Sequence, residues 1–362
     1  ERRLEVGGGG QQLGSPVDHV RQSTPARRRT SSVPDRAHLA PTVGPMQVGT
    51  VLSRAEWEPL AEAHAARVDR YTRPHLERRE ARVKHPVHDF LFTYYSQRPA
   101  QLRRWHPGVG VALEDAPEHE GWKGYRVSTT LAGARCSTSG PADAGARCST
   151  SGPADSGARS GARVELDPAY VAAQRPLVEA IRRLLVATAS RPAQLGCFGL
   201  HEWAMVHRAS EHGTRHEWPL RLGERGTDEV VEGHRITCTH FDAFRFFTPS
   251  ARPLNTLSPG SKDREEFEQP GCLHAGMDLY KHAFRLSPMV PSDLVADCFE
   301  LAWDIRVLDM RASPYDLADL GLEPVRIETA EGKRTYADAQ AAFAERGAPL
   351  RARLVGACDL LI

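Results

Sequence analysis

Twelve residues recur almost unchanged in mid-chain. GARCSTSGPADA (133–144) is followed by GARCSTSGPADS (145–156) and by the remnant GARSGAR (157–163). A repeat so poor in apolar side chains cannot bury a core, so 133–163 is expected to be a low-complexity insertion on the surface. Cys136 and Cys148 recur with the period and are read as passengers, not metal ligands. Residues 1–45 are rich in Gly, Ser, Pro and Arg without apolar periodicity, which predicts a disordered basic extension. Its Arg27-Arg28-Arg29 run reads as a solvated tail. What can fold is 46–362 without the insertion, with Met46 as the expected natural start.

Charge follows the same division. Seven Arg against four acids make 1–45 net +3, and four Arg against two Asp make 133–163 net +2. With +1 overall, the remaining 286 residues carry −4, so a duplex-binding surface would have to be a local patch. Hydrophobic residues at 40% and charged residues at 26% are near the globular average and exclude collagen-like or wholly disordered chains. No apolar run approaches the roughly 18 residues of a spanning helix, so no membrane partner is expected. Outside the repeat lie Cys197, Cys238, Cys272, Cys298 and Cys358, with no CxxC pair. Free thiols, most of them small buried hydrophobes, and a reducing cytoplasm are the expectation.

The foldable part reads as one helix-rich α+β domain with a small mixed or antiparallel sheet. Residues 54–83 predict a charged helix interrupted at Pro74, and 88–104 a second helix kinked at Pro99. Residues 109–113 and 124–131 predict a hairpin, and 168–190 one helix. Residues 196–206 and 235–248 read as strands, the latter from its aromatic and β-branched residues. The clearest amphipathic helix is 292–310, with Leu294, Cys298, Leu301, Ile305 and Leu308 in one stripe and Ser292 as its cap. Residues 335–356 close the chain as a helix.

Chemistry concentrates between 197 and 304. His201 and Glu202 open it, and the next imidazole, His207, has the wrong spacing for a zinc-peptidase helix. On a strand, His240, Asp242, Phe244 and Phe246 share one face. A carboxylate beside aromatic walls is expected to have raised proton affinity, which makes Asp242 the candidate acid or base. His274 and Asp278 stand i, i+4 and meet on a helix face. No short ligand spacing points to a metal, and no cofactor is expected. Asp293, Asp297, Glu300 and Asp304 form an acidic stripe that Arg306, Arg311 or a cation would balance. Arg98, Arg103 and Arg104 interleave with Tyr94, Tyr95 and Trp105, a patch suited to a phosphate backbone.

The stretches HPVHDFLFTYYSQRPAQLRRWHPG (85–108), CFGLHEWAMVHR (197–208), HRITCTHFDAFRFFTP (234–249) and QPGCLHAGMDLYKHAFRLSPMVPSDLVADCFELAWDIRVLDMRASPYDL (269–317) resemble a family of actinobacterial and other proteins commonly labelled 3-methyladenine DNA glycosylase. The resemblance covers most of 46–362 outside the repeat. It implies hydrolysis of the N-glycosidic bond of an alkylated purine flipped out of damaged DNA. Under that reading Asp242, then Glu202, then His240 serve the chemistry. Trp203, Phe244 and Phe246 stack on the base, His201, His274 and Asp278 bind substrate, and Arg98, Arg103 and Arg104 hold phosphates. His106-Pro107-Gly108-Val109-Gly110 looks similar to the hairpin of helix–hairpin–helix glycosylases, but the following VALEDAPEHEGWKGYRV does not read as the required second helix. Two other classes fit the residues: a small-molecule enzyme using His201, His240, Asp242, His274 and Asp278, with or without a metal, and a non-enzymatic structural or partner-binding protein.

Overall fold

The computed structural model describes residues 49–95, 97–129 and 162–362. The expected extension at 1–45 and the repeat with Cys136 and Cys148 lie outside them. Fourteen α-helices and four strands are formed among the described residues, a helix-rich α+β fold with a small mixed sheet. None of these helices is long and apolar enough to cross a membrane.

Strand β1 (Thr50–Leu52) leads into α1 (Arg54–Glu80), α2 (Phe90–Thr93), α3 (Pro99–Leu102), β2 (Val111–Glu114), α4 (Pro117–Glu120), β3 (Tyr125–Thr129) and β4 (Ala162–Leu166). Helices α5 (Pro168–Ala173), α6 (Arg175–Ala189), α7 (Leu200–Ala204), α8 (Ala209–His212), α9 (Gly223–Glu232), α10 (Phe241–Phe244) and α11 (Arg264–Phe267) follow. Helices α12 (Leu273–Arg285), α13 (Ser292–Arg311) and α14 (Ala330–Asp359) complete the chain.

The sheet order is β1-β2-β4-β3, with β1 parallel to β2 and the other pairs antiparallel. The expected hairpin partners both exist, but β4 lies between them. Val164 and Leu166, just past the repeat remnant, supply a buried two-residue alternation. Thr129 pairs with Ala162, so the two ends of the insertion meet in one ladder. Val109 and Gly110 lead into β2 rather than a second helix, which removes the hairpin resemblance at 106–110.

Helix α1 starts at Ser53, whose backbone N–H and hydroxyl both donate to Glu56 Oε2 at 2.8 Å. It runs on through Pro74 instead of breaking there. Packing on both sides holds it: Tyr71 meets Phe299 and Trp303 of α13 at 5.2 and 4.8 Å, and His75 stacks on Phe92 at 4.4 Å. The 88–104 segment is two four-residue helices, because Pro99 begins the second one rather than kinking a continuous one. Residues 168–190 divide at Gln174, where Pro176 again stands in a helix's first turn.

The 292–310 stripe is buried as expected, and α13 is the central rod of the core against α12. Gly276 permits the approach, since a Cβ there would sit 2.7 Å from Ile305 Cδ1. Ser292 is not the cap; Pro291 is. The Ser292 hydroxyl accepts from the His106 N–H at 2.8 Å and donates to the Arg104 carbonyl at 3.2 Å. The acidic stripe is balanced by Arg67 and Arg70 from α1 and by Arg346 and Arg353 from α14. Arg306 and Arg311, the expected partners, bind elsewhere.

Two expected strands are absent. Residues 196–206 turn through a left-handed Phe198 (φ 49°) and Gly199 (φ 72°) into α7. In 235–248 the fully buried residues Ala243 and Phe247 stand four apart, a helical spacing, and α10 forms there. Ile236 alone keeps a β-bridge, to Asn255.

Candidate functional site

Three core helices deliver the central groups. The left-handed turn at Phe198-Gly199 starts α7 and sets Cys197 and His201 four apart. Cys197 Sγ lies 3.6 Å from His201 Nδ1. The Pro270-Gly271 turn starts α12 and places His274 in its first turn. Asp309 comes from the last turns of α13. His201 Nε2 and Asp309 Oδ1 are 2.9 Å apart, and the His274 ring stands edge-on to His201 with centroids 4.6 Å apart. One donor atom each from His201, His274 and Asp309 falls within 4.8 Å of the others. All three residues are buried, Asp309 completely.

Electrostatics separates the two imidazoles. Burial opposes charge on His201, but the Asp309 carboxylate prevails and holds its pKa well above the ordinary value. Burial and then the neighbouring His201 push His274 well below it. Burial opposes ionisation of Asp309, yet His201 first, with smaller help from His274 and Arg306, keeps it an anion. Arg306 Nη1 bridges Asp309 at 3.2 Å to Glu202 at 3.0 Å, with its guanidinium 3.9 Å over the Phe90 ring. A cavity of about 10 Å³ opens beside this cluster, lined by Cys197, His201, Cys238, Cys272, His274 and Tyr336. It has room for about one water-sized group.

A second, more acidic cluster adjoins the first through His240, whose ring is 5.4 Å from His274. His240 Nε2 lies 3.3 Å from Glu268 and 3.5 Å from Asp278. Asp278 also accepts from Tyr95 at 3.1 Å, Arg264 at 2.7 Å and Lys281 at 3.0 Å. Lys281 reaches on to Asp242 at 3.0 Å, and Arg245 lies 3.2 Å from the same carboxylate. The raised proton affinity expected of Asp242 is therefore not found. Burial works to raise its pKa, but the Lys281 ammonium outweighs it and the pKa falls below the usual carboxylate value.

His201 and His274 thus face one cavity. His240 adjoins His274, Glu202 joins through Arg306, and Asp278 joins through His240. Asp242 is one ion pair further out. Trp203 is wholly buried, with its indole N–H donating to the Ala312 carbonyl at 2.9 Å, so its ring has no face for a ligand. Phe244 packs on Phe247, and Phe246 lies between the guanidinia of Arg215 and Arg245. The three Arg are not one patch around this cavity. Arg103 pairs with Asp69 of α1, Arg104 covers Trp122, and Arg98 is exposed just before α3. Asp309, Arg306, Arg264 and Lys281 were not anticipated as members of the network.

No family model matches the chain, and no curated protein or solved structure matches it significantly.

Proposed function

We propose that the chain is a hydrolytic enzyme for a small polar molecule, with its reaction centre at the cavity shared by His201, His274 and Cys197. The observation that carries this reading is the convergence of two buried imidazoles and a thiol on a space for a single water-sized group, with the Asp309 carboxylate held against one of those imidazoles. Structural histidines in a core are normally tied off one by one to carbonyls and hydroxyls. Here His201 and His274 meet edge to face and His201 lies against a carboxylate, the kind of arrangement that clusters at functional sites. A water held between two imidazoles is placed for attack on a bound ester, amide or phosphoester. A flipped purine fits this site less well. Trp203 is sealed in the core, Asp242 is neutralised by Lys281 and Arg245, and Arg103 is already paired.

The test sets two substrate classes against each other. Purified protein is assayed for turnover of a panel of small esters, amides and phosphoesters, and for release of 3-methyladenine from alkylated duplex DNA. Turnover of a panel member, lost in folded His274→Ala and kept in Asp242→Asn, is the expected result. Base release from DNA that Asp242→Asn abolishes would overturn it.

A further inference from the structure

We propose that His201, His274 and Asp309 bind one divalent transition-metal ion of the zinc class. The site stands on geometry alone; that the ion serves turnover rests on the hydrolytic reading above. Its three donors come from three different helices, α7, α12 and α13, and lie within 4.8 Å of one another. Zinc bonds of about 2.0–2.1 Å put neighbouring ligand atoms about 3.4 Å apart, so a small contraction closes the set.

The second observation is a pair of buried atoms without partners. His201 Nε2 and Asp309 Oδ1 form a 2.9 Å ion pair, yet neither atom makes a hydrogen bond. Both side chains are more than nine-tenths buried. Such atoms are normally satisfied, and a cation bound by Asp309 Oδ1 and by Nε2 of His201, deprotonated on binding, would satisfy them together. A simple His–Asp hydrogen bond would instead align the N–H with the oxygen.

The surroundings suit a ligand set held in place. Cys197 sits at the other nitrogen of His201, where it orients the ring instead of joining the sphere. Arg306 fixes the second oxygen of Asp309 at 3.2 Å. Ligating carboxylates are commonly hydrogen-bonded in the way Arg306 holds Asp309. Two imidazoles and one carboxylate favour zinc or a neighbouring first-row ion over magnesium or calcium, and three protein ligands leave one position open. The adjoining cavity, lined by His201 and His274, has room for about one water.

The experiment measures the metal itself. Protein purified without chelator is analysed for bound metals, stripped, and titrated with Co(II) while its visible bands are followed. One ion per chain is expected, with Co(II) bands of low-symmetry nitrogen and oxygen ligation. His274→Ala and His201→Gln lose the bands while circular dichroism shows them folded. His240→Gln keeps them, and Cys197→Ser weakens binding by about 10–100-fold, as expected for an outer contact. A folded wild-type chain that takes up no Co(II), or a His274→Ala variant that binds it like wild type, overturns the site. Metal binding with no turnover of any small substrate upholds the site and overturns the hydrolytic reading. Turnover by stripped protein that alkylation of Cys197 abolishes overturns the ion's part in turnover, leaving an enzyme built on a thiol–imidazole pair.

Discussion

Two regions of this molecule each bury three imidazoles, and they are built in opposite ways. Beside the sheet, His64 is bonded to the Leu102 carbonyl at 2.8 Å, His106 to the Tyr125 hydroxyl at 3.0 Å and His119 to the Trp105 carbonyl at 3.1 Å. The His106 and His119 rings pack on Trp57, Trp122 and Tyr125. Burial pushes all three pKa values down, His106 to about 3, so they act as neutral packing groups with one polar anchor each. Between α7, α12 and α13, His201, His240 and His274 are buried as deeply, but Asp309, Asp278, Glu268, Arg306 and Arg264 come with them. Burial alone makes a histidine inert. The accompanying charges are what give the second cluster chemistry to offer.

The sharpest way to break this comparison is to remove one of those charges. Arg306→Met leaves the carboxylates of Glu202 and Asp309 without their shared guanidinium. Breaking a buried pair in this way is expected to cost about 3–5 kcal/mol, read from the midpoint of a urea unfolding curve. A loss below about 1 kcal/mol would mean that the central charges are no more interlocked than surface pairs. The sheet-side cluster is probed by acid. His106 ordinarily titrates near 6.5 and falls to about 3 in the folded chain, so the unfolded chain binds the proton first. Stability from this group is present above about pH 6.5 and is lost as pH falls toward 3, at up to about 1.4 kcal/mol per pH unit. His106→Asn, which keeps an acceptor but does not titrate, should flatten that slope in melts between pH 6.5 and 4. An unchanged slope would place the acid sensitivity elsewhere.

How far the sequence could be read follows the same physical line. The helix at 292–310 was legible because its apolar residues recur at helical spacing and the core takes that whole stripe. Asp309 was legible in principle. It falls four residues after Ile305, on the buried stripe rather than with Asp297, Glu300 and Asp304, and a charge on an apolar face is a signal. His201, His240 and His274 stood out as residue types, but their meeting depends on how α7, α10 and α12 approach one another, which local periodicity does not encode. The strands expected at 196–206 and 235–248 failed for a related reason. Aromatic density there reports burial, and the left-handed turn at Phe198-Gly199 and the four-residue spacing of Ala243 and Phe247 decide the backbone.

The outer face of α13 offers the smallest effect and the cleanest control. Its acids lie on the same helix as Asp309, so charge and helix position are matched while solvent access differs. Arg353 reaches Asp297 at 2.5 Å, but the two side chains are 47% and 29% exposed. Water screens that pair, and Asp297 keeps Arg67 at 2.7 Å when Arg353 is removed. Arg353→Ala should therefore cost no more than about 1 kcal/mol and should lose most of that in high salt. Measured beside Arg306→Met under the same conditions, it separates the worth of a guanidinium on this helix from the worth of its burial. Equal losses in the two variants would show that α13 carries its charges alike on both faces, and the contrast between the two histidine clusters would then have to rest on the carboxylates alone.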